Sequence, residues 1–198
     1  MTEEGKHIRT FIAVDVDSAV SERLQALQST LAKSRADVRW VDNSSLHITL
    51  KFLGSTPEAS IPAVTGTLNR IARNHAPWTI ELRGLGAFPS LRRPRVLWVG
   101  VLDGGKLAQV ARELDEALAP LGFAREERPF QPHLTLCRVR SLQRWEALEE
   151  KVKAHLDESF GQSVVQEFIL YRSDLRPTGA VYTPLWKTPL GETKGEEA

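Results

Sequence analysis

One four-residue pattern occurs twice in this chain. His47-Ile48-Thr49-Leu50 returns 86 residues later as His133-Leu134-Thr135-Leu136. The surroundings return with it. An apolar, strand-like run, Phe11 to Val16, precedes the first tetrad, and a second, Val96 to Val101, precedes the other. Phe11 lies 36 residues before His47, and Leu97 lies 36 residues before His133. A repeat at under half of a 198-residue chain points to duplication, with two related lobes sharing one core. No linker is long enough to separate the halves, so residues 1–198 are read as one bilobal domain, with a polar, disordered tail over 191–198.

Each tetrad alternates polar and apolar residues, the period of a β-strand. Side chains two apart share a face. Ile48 with Leu50, and Leu134 with Leu136, therefore anchor their strands in a core. His47 with Thr49, and His133 with Thr135, stand on the opposite face. Between strand and tetrad each half carries a helical stripe: Val20, Leu24, Leu27 and Leu31 after a cap at Asp17 or Ser18, and Leu107, Val110, Ala111, Leu114 and Leu118 before Pro120 and Gly122. Further stripes follow at Ile61, Val64, Leu68 and Ile71, and at Trp145, Leu148, Val152 and Leu156. Strand-like runs cover Trp78–Leu82, Val164–Tyr171 and Val181–Trp186. This order, β-α-β-α-β twice with short connections, predicts an α+β fold whose antiparallel sheets face a central cleft.

If the lobes pack about a pseudo-twofold axis, two imidazoles and two hydroxyls surround one small volume. That set suits a phosphodiester. A neutral imidazole takes a proton from water, and an imidazolium gives one to a leaving oxygen. An unperturbed pKa of about 6.5 makes both states available near neutrality. The threonine hydroxyls can donate to the non-bridging phosphate oxygens. Spacing alone leaves open which histidine is acid and which is base.

Arg138 lies five residues after His133. An odd offset places it on the wrong face of a regular strand, so only a bulge or a strand end turns it inward. Its planar donor fork suits phosphate. Arg83, Arg92, Arg93 and Arg95, and then Arg138, Arg140 and Arg144, form two basic groups able to guide a polyanion or simply to face solvent. Phe11, Phe52 and Phe130 flank the tetrads, where an exposed ring could stack on a base. His7, His75 and His155 are read as surface or structural. Cys137 stands alone, which excludes a disulfide framework, and no spacing suits a zinc site or a phosphate loop.

The balance of 26 basic and 25 acidic residues argues against coating nucleic acid through bulk charge. No apolar run approaches the roughly 18 residues of a membrane helix. Met1 to His7 is charged and has no signal-peptide core beside it, so a cytoplasmic monomer is expected.

The paired tetrads resemble the two motifs of the 2H phosphoesterase superfamily, and within it the LigT-like RNA 2′,3′-cyclic phosphodiesterases, also called 2′-5′ RNA ligases. The resemblance extends to Arg9–Val14, to LHITLKFLG at Leu46–Gly54, to PRVLWVG at Pro94–Gly100 and to FQPHLTLCR at Phe130–Arg138. It continues in FILYRS at Phe168–Ser173 and in Tyr182–Leu185. It implies hydrolysis of a terminal 2′,3′-cyclic phosphate on RNA to a 2′-phosphate, without cofactor or metal. By that resemblance His47 is the proton donor and His133 the proton acceptor. Thr49, Thr135 and Arg138 hold the phosphate. Phe11 and Phe130 are candidates to bind the nucleotide. Partners would be RNA 3′ ends or small cyclic nucleotides, and a reversible 2′-5′ ligation would be the same acid–base chemistry with an RNA 5′-hydroxyl replacing water. The same tetrads would also serve ADP-ribose 1″,2″-cyclic phosphate or 2′-5′ oligoadenylate. A non-catalytic RNA-end binding module and a purely structural duplication are the readings from other classes.

Overall fold

The computed structural model describes residues 6–177 and 179–191. The described elements run β1 (His7–Asp15), α1 (Ser18–Ala32), β2 (Val38–Trp40), β3 (His47–Pro57), α2 (Ile61–Ala72), β4 (Trp78–Phe88) and β5 (Val96–Leu102). Then come α3 (Lys106–Leu118), β6 (His133–Val139), α4 (Trp145–Lys153), β7 (Ser159–Val165), β8 (Glu167–Arg176) and β9 (Gly179–Pro189). The strands join one antiparallel sheet in the order β7-β4-β5-β6-β3-β1-β8-β9, with β2 added beside the end of β6. The tetrad strands β3 and β6 are central neighbours that meet at Ile48 and Leu134.

Outward from that seam the order is alike on both sides: tetrad strand, the long strand that opens its repeat (β1 or β5), then two more. The expected α+β duplication is therefore present, with its two antiparallel halves joined into a single curled sheet. The lobes are not contiguous halves of the chain. β4, from the first repeat, lies beside β5 in the second lobe, and β8 and β9 complete the first lobe beside β1. The helices cross over as well. α1 packs on β7 and α4, while α3 packs on β3 and α2.

The run Val164–Tyr171, which reads as one strand, is continuous extended chain that changes partners. Val165 pairs with Trp78 of β4, whereas Ile169 pairs with Ala13 of β1, and the exchange falls at Gln166. The chain thus passes directly from one end of the sheet to near the other. The sheet must curl into a half-barrel to allow it.

The apolar tetrad positions and their neighbours form the core face. Ile12, Val14, Ile48, Leu50, Leu97, Val99, Leu134 and Leu136 are each at most 4% exposed. At ~1.5–3 kcal/mol for each large aliphatic side chain fully buried, this layer fixes the register. A one-residue slip would send all of it to the cleft. The helical stripes pack as read, except that α4 ends at Lys153 and leaves Leu156 exposed. Asp17 stands at the N-cap of α1, but its carboxylate accepts from Val164 N (3.1 Å) and makes no cap bond. Gly191, read as tail, donates its N–H to the Ala72 carbonyl (3.0 Å), while residues 192–198 lie outside the described residues. Among the described residues, no helix is long and apolar enough to cross a membrane.

Candidate active site

β1 and β5 pair with the tetrad strands in matching register. Asp15, Ala13 and Phe11 oppose His47, Thr49 and Phe52. Gly100, Trp98 and Val96 oppose His133, Thr135 and Arg138. The counterpart of Phe11 is therefore Val96 and not Leu97, one residue away from the match that equal spacing suggests. Next to the tetrad each pair skips a residue, Leu50 in β3 and Leu136 in β6, and the β1–β3 pair skips Leu53 as well. The skips at Leu50 and Leu136 are β-bulges at the same place in both lobes.

The bulge decides what the next two residues do. Lys51 and Cys137 turn into the core, 6% and 0% exposed. Burial pushes the Cys137 thiol up to about 12, so it stays protonated at neutral pH. The Lys51 ammonium donates to the Asp115 carboxylate and to the Ala124 carbonyl (2.8 Å), tying β3 to α3 and to the chain that leads into β6. Phe52 and Arg138 turn back to the histidine face. The bulge that Arg138 required is present.

The two histidines are held alike. His47 Nδ1–H donates to the carbonyl of Ser45, and His133 Nδ1–H donates to that of Gln131, both at 2.7 Å. A carbonyl can only accept, so each ring carries its proton on Nδ1 when neutral and keeps Nε2 for other partners. The hydroxyls of Thr49 and Thr135, two residues on and on the same face, have no hydrogen-bond partner among the described residues.

The surroundings of the two rings differ. His47 lies in an aromatic cage: Phe11 at 4.9 Å between ring centroids, Tyr182 edge-on at 5.1 Å and Tyr171 at 6.2 Å. Tyr171 stacks on Phe11 and its hydroxyl donates to the Asp15 carboxylate (2.9 Å), which fixes that wall. His133 meets Phe88 edge-on at 4.9 Å and Trp98 at 6.4 Å. Trp98 lies flat across β4 at Gly86, where a Cβ would stand 2.2 Å from its ring, so only glycine fits. Removal from water lowers the pKa of His47 to about 4. The hydrogen bond to Ser45 opposes this, and the charges of His133 and Arg138 add to it. His133 is lowered by the same causes: desolvation first, opposed by the bond to Gln131 and aided by Arg138.

Among the read site residues, the structure brings His47, Thr49, His133, Thr135 and Arg138 onto one face. It does not give Phe11 the exposed role. That ring is 2% exposed and supports His47 from below, so it cannot offer a face to a base. Phe130 is partly buried against the core. The exposed phenylalanine is Phe52, at 61%. Tyr171, Tyr182, Phe88 and Trp98 escaped the sequence reading, because their strands reach the histidines only through pairing distant in sequence. Arg83 is engaged by Asp157 (2.8 Å) and Glu81 (3.5 Å), and so leaves the basic group assigned to it. His7 opens β1, where it pairs with Pro57, and His75 bonds Glu113 (2.8 Å). No three histidine, cysteine or carboxylate side chains among the described residues are placed to hold a metal ion.

The chain belongs to the 2′-5′ RNA ligase superfamily, whose model matches residues 16–175. It is similar to the RNA 2′,3′-cyclic phosphodiesterase of Methanothermobacter thermautotrophicus, 34% identical over 90% of this chain and 96% of the relative. It is also similar to that of Archaeoglobus fulgidus, 35% identical over 90% and 98%. Among solved structures, TT0787 of Thermus thermophilus superposes with a TM-score of 0.81 at 31% identity, covering 94% of this chain and all of that one. LigT of E. coli, solved in apo form and with 3′-AMP, gives 0.75 in both cases, at 26% and 27% identity, over 95% and 93% of this chain and 100% and 99% of LigT.

Proposed function

We propose that this cleft hydrolyses the terminal 2′,3′-cyclic phosphate of RNA to a 2′-phosphate by general acid–base catalysis between two histidines, without a metal. The observation that carries the reading is the matched pair of imidazoles. Each is locked in one tautomer by a backbone carbonyl, with a threonine hydroxyl beside it and Arg138 turned onto the same face. The relatives' names support the same substrate class.

In the proposed step, water attacks phosphorus opposite the 3′ oxygen. His133 Nε2 takes the water proton as the new P–O bond forms. The P–O3′ bond breaks, and His47 Nε2–H protonates the leaving oxygen. Thr49, Thr135 and Arg138 donate to the non-bridging oxygens, which bear charge throughout. Phe52 offers a face to the terminal base. Each proton transfer is worth ~10²–10⁴ in rate. An RNA 5′-hydroxyl in place of water would run the same transfers toward a 2′-5′ linkage.

The test is turnover, with EDTA present, of 2′,3′-cyclic AMP, of a short RNA ending in a 2′,3′-cyclic phosphate, and of ADP-ribose 1″,2″-cyclic phosphate. The 2′-phosphate should form from the first two. A 3′-phosphate product would overturn the assignment of the bond broken. Preference for the ADP-ribose compound would move the substrate class. Tight binding of RNA ends without turnover would make the chain a binding module.

A further inference from the structure

β2 adds a second guanidinium to the cleft. Arg39 is the direct partner of Arg138 across the β2–β6 pair. Directly opposed residues share a face at about 4.5–5.5 Å between Cα atoms. Val38 and Trp40, on either side of Arg39, pack against the core, which leaves Arg39 the cleft face. Two permanent cations in that position repel each other. Among the described residues neither forms an ion pair that would relieve the repulsion. The neighbouring carboxylate Asp37 is occupied by the Ser141 hydroxyl (2.7 Å). The side chain of Arg39 has one hydrogen bond among the described residues, Nη2 donating to the Pro177 carbonyl (3.3 Å), out of the five N–H groups of a guanidinium. A polyanion would relieve this pair.

We propose that Arg39 takes the phosphodiester on the 5′ side of the terminal nucleotide, so that the cleft favours RNA chain ends over free cyclic mononucleotides. The inference rests on the function proposed above. Arg138 charges the histidine site directly, as its effect on both imidazoles indicates. Arg39 lies about 4.8 Å from Arg138 across the sheet, on the edge of β6 that β3 leaves after Ile48–Leu134. A strand of RNA whose last phosphate sits between the histidines would cross Arg138 and meet Arg39 next. The terminal base would turn the other way along the strands, toward Phe52, which follows His47 on β3 as that strand runs away from Arg138.

The experiment measures kcat/KM of the wild type and Arg39→Gln on 2′,3′-cyclic AMP and on a five-nucleotide RNA ending in a cyclic phosphate, across a salt series. Loss of one charge-assisted phosphate contact should lower the ratio of oligonucleotide to mononucleotide kcat/KM about 10- to 100-fold, through KM. The slope of log(kcat/KM) against log salt for the oligonucleotide should become shallower by about 0.7. Arg39→Lys should restore part of both. An unchanged ratio, whether because nothing falls or because both substrates fall together, overturns the subsite. If the wild type turns over neither substrate, the proposed function fails instead. Fluorescence anisotropy with a 3′-phosphorylated oligonucleotide then decides on Arg39 alone: weaker binding by Arg39→Gln supports the subsite, and equal binding refutes it.

Discussion

In the free protein, burial favours the neutral form of His47 near neutral pH. Its pKa is lowered to about 4 by the cage of Phe11, Tyr171 and Tyr182 and by neighbouring positive charge. The role proposed for it requires the substrate to bring the proton in. A phosphodiester carries one negative charge. At about 4 Å and an effective dielectric near 20, that charge is worth about 4 kcal/mol to an imidazolium. At about 1.4 kcal/mol per pKa unit, this raises His47 by about three units, to about 7. That value is suited to donating a proton at neutral pH. The same cage that suppresses the charge in the empty site strengthens it when the anion arrives, because both effects come from excluded water.

The assay is an NMR titration of the His47 ring, assigned by comparison with His47→Gln, in the free protein and with inorganic phosphate or 2′-AMP bound. Free His47 should remain neutral down to about pH 5 and titrate near 4. With the anion its midpoint should rise by two to four units. A free His47 that titrates near 6.5, or one that ignores bound phosphate, would refute the reasoning. Folding stability carries the same signature. The unfolded ring binds its proton near the ordinary value of 6.5 and the folded ring near 4. The unfolded state therefore takes the proton first, and stability should fall as pH drops from about 6.5 toward 4. Part of that fall should vanish in His47→Gln when urea midpoints are compared across this window.

Three further outcomes follow from the packing. Lys51→Met leaves the partly buried Asp115 carboxylate without its ammonium and frees the Ala124 carbonyl; it should cost about 2–3 kcal/mol by urea unfolding, and a loss below about 0.5 would show the pair to be energetically idle. Gly86→Ala places a methyl inside the Trp98 ring and should displace that indole from beside His133. A changed Trp near-UV signal with a stability loss of about 1–3 kcal/mol is expected, and an unaltered spectrum would contradict it. Phe52→Ala should raise KM for cyclic mononucleotides about fivefold or more with little effect on kcat, since base stacking is worth about 1–3 kcal/mol; a fall in kcat at constant KM would assign the ring another role.

The sequence discloses the histidine–threonine faces because strand alternation is local. Ile48 and Leu134 must be buried, and period 2 then carries His47 and His133 to the other side. The helical stripes are legible for the same reason. What local patterning could not supply is anything decided by a distant partner. The bulges at Leu50 and Leu136 exist only relative to the ladders with β1 and β5, and without them Arg138 would face the core. The exchange at Gln166, which carries the chain from β4's side to β1's, has no breaker residue to announce it. The exchange of β4 for β8 and β9 between lobes is likewise a matter of which edges meet. Tyr171 and Tyr182 look like ordinary strand aromatics until pairing with β1 and β8 brings them to His47. Phe11 stands beside a motif, but nothing local says which way its ring is buried; the ladders with β3 and β8 turn it under His47.

The division of labour between the two histidines can be tested with a leaving group that needs no proton. We would compare 2′,3′-cyclic AMP with 3′-deoxyadenosine 2′-(4-nitrophenyl) phosphate, which keeps phosphorus on O2′ and puts the aryl oxygen in the place of the leaving O3′, for the wild type, His47→Ala and His133→Ala, in EDTA. Both variants should lose ~10²–10⁴ in kcat on the cyclic phosphate. On the nitrophenyl ester, whose leaving oxygen departs as a stable anion, His47→Ala should recover most of the wild-type rate and His133→Ala should not. Recovery by His133→Ala alone would reverse the roles, and full activity of either variant on the cyclic phosphate would contradict two-histidine catalysis.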